Sequence, residues 1–188
     1  MPGRGIGQKL RAGDPERAGV LALITRAVGR PAAFAAALFV SGAVCAGTAE
    51  DAFLAAETAD CPGCDLRGAD LKRRDLSGAD LSRANLTDAV LHRANLRGAT
   101  LDGATLVRAN LNLADLRRAS LAGADLTHAL LYETDFSAAA APAARLDGTR
   151  ATGARFSGAD LSGASIIGAS VKGARLALAK LPGAALVR

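Results

Sequence analysis

From Cys64 to the end of the 188-residue chain, the sequence repeats every five residues without a break in register. Stepping by five from Leu66 to Leu186 gives 25 positions, of which 19 are Leu and four more are Phe, Ile or Val. Two places before these positions, Ala occupies 21 of the 25 sites. A period of five matches neither the 3.6-residue period of an α-helix nor the alternation of a continuous strand. The repeat therefore predicts a solenoid built from small, similar units.

Each unit has the form Ala-x-Leu-x-x, and this spacing suggests one side of a coil. Ala and Leu are two residues apart, so both face inward on a short extended segment, and the last two residues can turn a corner. Twelve of the 21 glycines stand at the second place after the central residue, where their backbone freedom suits a tight turn. Leu then fills the axis and Ala the narrower space beside it, which leaves no concave pocket. We therefore expect a protein that presents a surface, not an enzyme, with no cofactor and no small-molecule substrate.

Several runs of the repeat resemble the pentapeptide-repeat family. They include residues 78–81 and 158–161, both Gly-Ala-Asp-Leu, and the opening at residues 61–66, Cys-Pro-Gly-Cys-Asp-Leu. The resemblance covers about two-thirds of the chain. It implies an all-β fold, a right-handed quadrilateral parallel β-helix with four units per coil. Residues 64–188 would then form about six coils, and at about 4.8 Å between stacked strands the solenoid would be about 30 Å long.

Residues 1–46 predict a secretory signal peptide with a long N-terminal extension. Two arginines precede the apolar stretch Pro31–Val44, which is too short to span a bilayer as a helix but fits the apolar region of a signal. Small residues then lead to a cleavage site near Ala46. The polar stretch Met1–Thr25 is longer than a usual leader, so a translation start further downstream stays open. We expect a periplasmic or secreted protein, with a cytoplasmic or membrane-anchored protein as the alternative.

Residues 47–63 predict a short capping helix followed by the Cys-Pro-Gly-Cys opening. The helix would run from Thr48 to Thr58, with Thr48 as its N-cap and two acidic residues in its first turn. At the other end, Leu176–Val187 continues the repeat with no comparable cap. An open solenoid end exposes apolar side chains and unpaired backbone groups. A homodimer through the C-terminal end is therefore the assembly we expect.

Cys61 and Cys64 form a single C-x-x-C pair. No second pair and no suitably spaced His accompany them, which disfavours a zinc site within one chain. A thioredoxin-like redox site would need a strand-to-helix context, which the repeat does not provide. Two interpretations remain: small apolar residues that pack the first turn, or a disulfide in an oxidising compartment.

Stacking every twentieth residue sorts the outward residues into four faces, and one face departs from a polar surface. It carries Val90, His92, Leu113, Leu130 and Tyr132, bordered by charged residues. Apolar and aromatic residues ringed by charge are typical of a protein-binding surface. We take these five residues as the candidate site for an unidentified protein partner. Scattered surface apolar residues on a drifting repeat are the alternative.

Ala141 and Ala151 stand where the repeat places a large core residue. Alanine in those positions should leave the coil underpacked unless its wall moves inward. The sequence therefore predicts a bulged or locally looser coil across residues 136–155.

The formal net charge of +5 is unevenly placed. Residues 65–136 contain 10 acidic and 10 basic residues, whereas residues 137–188 contain 2 and 7. The basic end has no run of basic residues and no interleaved aromatic residues, so nucleic-acid binding is disfavoured. His92 and His128 fall on different faces without an acidic neighbour to orient them, so the sequence does not indicate a catalytic triad.

The function we expect is a non-catalytic protein-interaction or structural scaffold, exported to the bacterial cell envelope. The alternative is the DNA-mimic role that the family resemblance implies, a gyrase-binding protein of the quinolone-resistance type. That role requires a strongly acidic rod, whereas residues 47–188 contain 17 basic and 16 acidic residues. The charge balance therefore disfavours the alternative.

Overall fold

The computed structural model describes residues 49–56 and 58–185. Within them one α-helix, α1 (Ala49–Leu54), precedes the repeats. It is shorter than the expected Thr48–Thr58 because Ala56 takes a left-handed conformation, with φ of 63°, that ends the helix. The expected N-cap Thr48 and the signal peptide 1–46 lie outside the described residues.

From Cys61 onward the chain winds into four-sided coils joined by parallel β-bridges. Each bridge joins a residue to the one twenty positions later, from Asp65–Asn85 through to Ser165–Ala185. Each side contributes one bridging residue, because the turns at its two ends leave no room for a longer strand. Twenty residues per coil are four units of five.

Three backbone donors in each unit hold neighbouring coils together. Asn85 N–H donates back to Cys64 O at 2.8 Å. Leu66 N–H donates forward to Asn85 O at 2.8 Å, and Gly68 N–H donates forward to Thr87 O at 2.9 Å. The same offsets recur from coil to coil, so the hydrogen-bonding register does not change along the described solenoid.

Each side ends in a turn whose third residue is left-handed. Ala69 N–H donates to Leu66 O at 3.1 Å, and Gly68 between them has φ of 66°. A hydrogen-bonded turn with positive φ at this position is of type II. Non-glycine residues adopt the same conformation, as Arg73 does with φ of 54°. The coil geometry therefore dictates the turn, and each non-glycine residue in it bears a strain of about 1 kcal/mol.

The repeated Leu and Ala form one continuous core along the axis. The central leucines from Leu66 to Leu131 are at most 1 % exposed, and so are the alanines from Ala79 to Ala129. Full burial of a leucine side chain contributes about 2 kcal/mol. The prediction that Leu fills the axis and Ala the space beside it is confirmed.

The Asp or Asn before the central residue satisfies a donor that the bridges leave free. Asp80 Oδ1 accepts the N–H of Ser82 at 3.0 Å, and Asn85 Oδ1 accepts that of Thr87 at 3.2 Å. These N–H groups point away from the neighbouring coils, so a local side chain is their acceptor. Among the described residues, eleven make this bond: Asp65, Asp70, Asp75, Asp80, Asn85, Asn95, Asn110, Asp115, Asp125, Asp135 and Asp160.

The prediction of a bulged coil across residues 136–155 is wrong, although an apolar cavity of about 60 Å³ borders Ala151, where local underpacking was expected. The bridges keep their twenty-residue offset there, and Ala141 N–H still bonds to the next coil at 2.8 Å. Two aromatic rings account for this, because Phe136 and Phe156 stack with their centroids 4.9 Å apart. Ala141 is the central residue directly after Phe136, and Ala151 is the one directly before Phe156. The Phe136 ring therefore fills the space that Ala141 leaves on the adjacent side, whereas part of the space beside Ala151 and Phe156 remains as an apolar cavity.

Two further substitutions accommodate the same coil. Thr149 replaces the usual alanine beside Ala151, and its buried hydroxyl donates to Leu146 O at 2.9 Å. Ala140 stands where most units have Asp or Asn, so it cannot accept the N–H of the residue two places later. That residue is Pro142, which has no N–H and needs no acceptor. The unusual residues of this coil thus compensate for one another.

At the N-terminal end, α1 contacts the first coil. Phe53 is fully buried, and the guanidinium carbon of Arg74 lies 4.3 Å from the centre of its ring. Arg74, one of the exceptions to the Ala pattern, also donates to the backbone oxygen of Phe53. Cys61 and Cys64 are joined by a disulfide and are at most 3 % exposed. The irregular residues at this end therefore lie together, beneath or beside the helix.

The last described coil leaves apolar side chains in solvent. Val171 and Leu176 occupy central positions of the repeat but are 43 % and 41 % exposed. An apolar cavity of about 60 Å³ lies along the axis here, lined among others by Ala151 and Phe156. The solenoid core is therefore open at this end of the described chain.

Candidate protein-binding surfaces

The five candidate residues, which we name the apolar face, fall into two parts. Asn110 is the bridge partner of both Val90 and Leu130, so it separates them by two coils, or about 10 Å. His92 and Tyr132 are also forty residues apart and thus two coils apart. The apolar face is therefore interrupted at Asn110, with Val90 and His92 on one side and Leu130 and Tyr132 on the other.

The second part of the apolar face is compact. Leu113 N–H donates to Tyr132 O at 2.9 Å, which places these residues in consecutive coils. Leu130 lies beside Tyr132 and is half-buried, as Leu113 is, whereas Tyr132 is 49 % exposed. The Asn112 side chain accepts the Tyr132 N–H at 2.9 Å and holds its backbone. A hydrogen bond with Glu133 raises the pKa of the Tyr132 hydroxyl. The result is an aromatic ring presented beside two leucines.

The histidines contribute no evident chemistry. His92 is half-buried, and the exposed ring of His128 lies over Gly148, close to the place a side chain would occupy there. In the described part of the chain, no group of three or more His, Cys, Asp or Glu residues is placed to hold a metal ion.

The acidic residues of the outer columns are satisfied locally. The hydrogen bond from Arg117 is the main cause that lowers the pKa of Asp115. Asn95 donates its side-chain amide to Asp75 at 2.8 Å across adjacent coils. Asp75, Asn95, Asp115 and Asp135 are successive bridge partners and form one outer column. Because carboxylates of this column are hydrogen-bonded within the solenoid, the column does not form a free acidic surface.

The structure also groups basic residues that appear diffuse in the sequence. Arg155 and Arg175 are bridge partners on one face of consecutive coils. Together with Gly153 and Gly173 at the adjoining corner, they line a groove of about 470 Å³, and Glu133 and then Leu113 continue its lining toward the N-terminal coils. We name this surface the basic groove. The sequence could have indicated the basic groove by one pattern: two arginines twenty residues apart, each preceded two places earlier by a glycine.

A four-sided solenoid with a core of leucine and alanine and convex, mostly polar faces defines the class of β-helical repeat proteins. The repeat model for pentapeptide repeats matches eight copies, over residues 64–103, 101–137 and 143–177. Since these residues make up more than half of the chain, it belongs to the pentapeptide repeat family. Its fold is thus the right-handed quadrilateral β-helix, and proteins of this family are generally non-catalytic.

Solved structures of pentapeptide repeat proteins are similar to this chain. HetL, involved in heterocyst differentiation regulation in the cyanobacterium Nostoc sp. strain PCC 7120, is 30 % identical; the match covers 66 % of this chain and 75 % of HetL, with a TM-score of 0.47. QnrB1, a plasmid-mediated fluoroquinolone resistance protein, is 29 % identical over 58 % of each chain, with a TM-score of 0.44. A protein from the Arabidopsis thaliana thylakoid lumen is 33 % identical over 51 % of this chain and 67 % of its own, with a TM-score of 0.33. Comparison with the curated proteins gave no match. The family assignment rests on the match to the family model for pentapeptide repeats.

Among the described residues, no helix has the length and apolar character needed to cross a membrane.

Proposed function

We propose that this protein is a non-catalytic scaffold that binds another protein through the second part of the apolar face. The observation that carries the proposal is the cluster of Leu113, Leu130 and Tyr132, which is separate from the exposed apolar residues of the last described coil. Tyrosine contributes a large, rigid contact area with few rotatable bonds, and it is enriched in protein interfaces. The core, by contrast, is filled by leucine and alanine along most of the described solenoid, which argues against an enzyme.

We further propose that the protein is exported to the bacterial cell envelope and that α1 caps the first coil. The Cys61–Cys64 disulfide supports export, because disulfides persist in oxidising compartments. The burial of Phe53 and its contact with Arg74 support the capping role. Fractionation of cells that express the full chain, followed by N-terminal sequencing of the mature protein, tests export. An intact Met1 in the cytosol would overturn it.

The exposed end of the core supports a homodimer through the C-terminal coils. Val171 and Leu176 would be buried when two such ends meet. Light scattering coupled to size exclusion should give a dimer mass for the wild type and a monomer mass for Leu176→Asp. The variant Thr105→Asp, far from this end, should remain dimeric. A monomeric wild type at all concentrations would exclude this assembly.

The DNA-mimic alternative has weaker support. Residues 65–136 carry equal numbers of acidic and basic residues. Several carboxylates are also paired with arginine, as Asp88 is with Arg108 and Asp115 is with Arg117. A near-neutral surface does not reproduce the potential of duplex DNA.

Affinity capture tests the protein-binding proposal. The immobilised wild type, incubated with extract of the compartment where the mature protein is found, should recover a partner that also binds when purified. Leu130→Asp with Tyr132→Asp should lose that partner. The matched control is Thr105→Asp with Val107→Asp, which places the same charges at the same repeat positions on a neighbouring face. Retention by the folded Leu130 and Tyr132 variant would remove the apolar face from consideration.

A further inference from the structure

Four units near the C-terminal end carry arginine where earlier units carry Asp or Asn. The arginines are Arg145, Arg150, Arg155 and Arg175. Earlier units use the Asp or Asn to accept the outward N–H two residues later, at 2.9 to 3.3 Å. In all four arginine units this N–H meets no acceptor among the described residues. Each therefore presents an open backbone donor beside a cation.

This combination differs from other departures in the repeat. Where Leu130 replaces the Asp or Asn, Asn112 in the preceding coil accepts the Tyr132 N–H at 2.9 Å. Asp147 likewise accepts the Ile167 N–H at 2.9 Å. Four other units of the described solenoid leave the donor open, but their residue at the acceptor position is Val90, Thr100, Thr105 or Ser170, so no cation takes that place. Only the arginine units combine an open donor with a positive charge at the position of the usual acceptor.

The solenoid itself shows which ligand fits such a pair of donors. Asp115 Oδ1 accepts the backbone N–H of Arg117 at 3.1 Å and the Nε–H of the same residue at 2.8 Å. One carboxylate thus lies between an outward N–H and a guanidinium. Two coils later in the same column, Arg155 supplies a guanidinium and Ser157 an open N–H, and no carboxylate of the described chain bonds to that N–H.

The arginines of two of these units line the basic groove, and the open donors of the same units follow two residues later, just outside its lining. Arg155 and Arg175 are bridge partners, and Gly158 N–H donates to Ala177 O at 2.8 Å, so the open donors of Ser157 and Ala177 lie in adjacent coils. Arg155 has one acidic neighbour, Asp135 at 3.6 Å, and Arg175 has no ion pair within the described residues. We propose that the basic groove binds an acidic segment of a partner protein, whose carboxylates occupy the places that Asp and Asn fill in earlier units.

The shape and charge of the groove favour an extended acidic peptide. Gly173 has open space where a side chain would stand, so the backbone of a bound peptide can approach the wall there, whereas at Gly153 the Glu133 Cγ lies 3.2 Å from the place of a Cβ. Lys172 and Arg150, on the adjoining face, add positive charge. Glu133, which lines the groove on the N-terminal side of Arg155, would repel a carboxylate, so the segment should lie toward the C-terminal coils. Carboxylates bound by both guanidinium and N–H form charge-assisted hydrogen bonds, which are stronger than neutral ones.

Fluorescence anisotropy with labelled hexaglutamate, added to the full 188-residue chain at low salt, tests this proposal. The variant is Arg155→Asn with Arg175→Asn, which removes both charges and supplies acceptors for both donors. It should fold, because Asn95 in the same column already accepts the Arg97 N–H at 3.2 Å. The matched control is Arg73→Asn with Arg93→Asn, which removes the same charge outside the groove, where asparagine tolerates the left-handed backbone.

We expect the groove variant to bind at least about fivefold more weakly and the control to stay within about twofold of the wild type. Binding should also weaken as salt rises, because the contacts are ionic. Equal loss in the two variants would overturn the proposal, since net charge alone would explain it. Equal binding of hexaglutamine would overturn it too. Groove-dependent binding of a 12-base-pair DNA duplex that is tighter than that of hexaglutamate would mean that the groove takes phosphates instead.

This inference rests on the proposed function only in that the partner is a protein. The two surfaces share Leu113, but the two proposals fail separately, because Leu130 and Tyr132 do not line the groove. Leu130→Ser with Tyr132→Ser, which adds no charge, should keep its hexaglutamate affinity even where the partner of the apolar face is lost.

Discussion

Phe136 and Ala141 should be energetically coupled, because the ring fills the space that the alanine leaves. Phe136→Leu removes one partner of the ring stack and opens a small void, at a cost of about 1 to 2 kcal/mol. Ala141→Leu alone forces a leucine against the ring, at a cost of about 1 to 3 kcal/mol. The double variant restores the leucine pair of a regular coil, such as Leu96 and Leu101. It should therefore be more stable than the sum of the single effects, by about 1 to 3 kcal/mol.

Urea unfolding followed by far-ultraviolet circular dichroism measures this coupling energy. The slope of the transition should be the same in all four proteins of the cycle, which shows that each unfolds over the same surface. The converse exchange one coil earlier is the control: Leu116→Phe should recover part of the loss caused by Leu121→Ala, which costs about 3 kcal/mol alone. Additive effects within about 0.5 kcal/mol would refute the reasoning, because the ring would then not occupy the space beside Ala141.

Three further predictions concern single residues. Arg74→Ala restores the repeat pattern but removes the cation–π contact with α1, so urea unfolding should show a loss of about 1 to 2 kcal/mol. Because Arg117 lowers the pKa of Asp115, that carboxylate stabilises the fold above its ordinary pKa of 3.8, and the contribution is lost as pH falls through the lowered value. The urea midpoint of Asp115→Asn should accordingly fall less than that of the wild type between pH 5 and pH 3. Gly158→Ala should cost about 1 kcal/mol in thermal unfolding, whereas Ala138→Gly in the same corner column should cost nothing, since both positions are left-handed.

The architecture could be predicted because its determinants are local and repeated. Each unit places a large residue, a small residue and a turn at fixed offsets, and the offsets never change from Leu66 onward. A frame error would turn the leucines toward solvent, so the hydrophobic pattern admits one register. The twenty-residue bridges and the buried leucines agree with this prediction.

The bulge prediction was wrong for a reason that the five-residue pattern does not contain. Ala141 was judged against the leucine that the pattern expects at its own position. Whether a cavity forms depends on the neighbouring sides of the coil: Phe136 supplies the missing volume beside Ala141, whereas a cavity of about 60 Å³ remains beside Ala151. Arg74 is a similar case, because its partner is the ring of Phe53 in a helix outside the repeat.

The candidate surfaces could be predicted only in part. Twenty-residue stacking correctly placed the residues of the apolar face in neighbouring columns, but it did not weigh Asn110, which separates Val90 from Leu130. The basic groove was missed because its arginines were counted as a diffuse excess of charge. Its character depends on which backbone donors remain open, and a charge count does not contain that information.

The sequence by itself determined the period, the inward and outward alternation and the face to which each residue belongs, because a strict repeat converts position in the chain directly into position on the solenoid. Only the tertiary structure decided which irregular residues compensate for one another and which donors stay unsatisfied. Those outcomes depend on contacts across adjacent sides and adjacent coils, such as those of Phe136 with Phe156 and Asn112 with Tyr132. Close packing and hydrogen bonding are properties of neighbours in space.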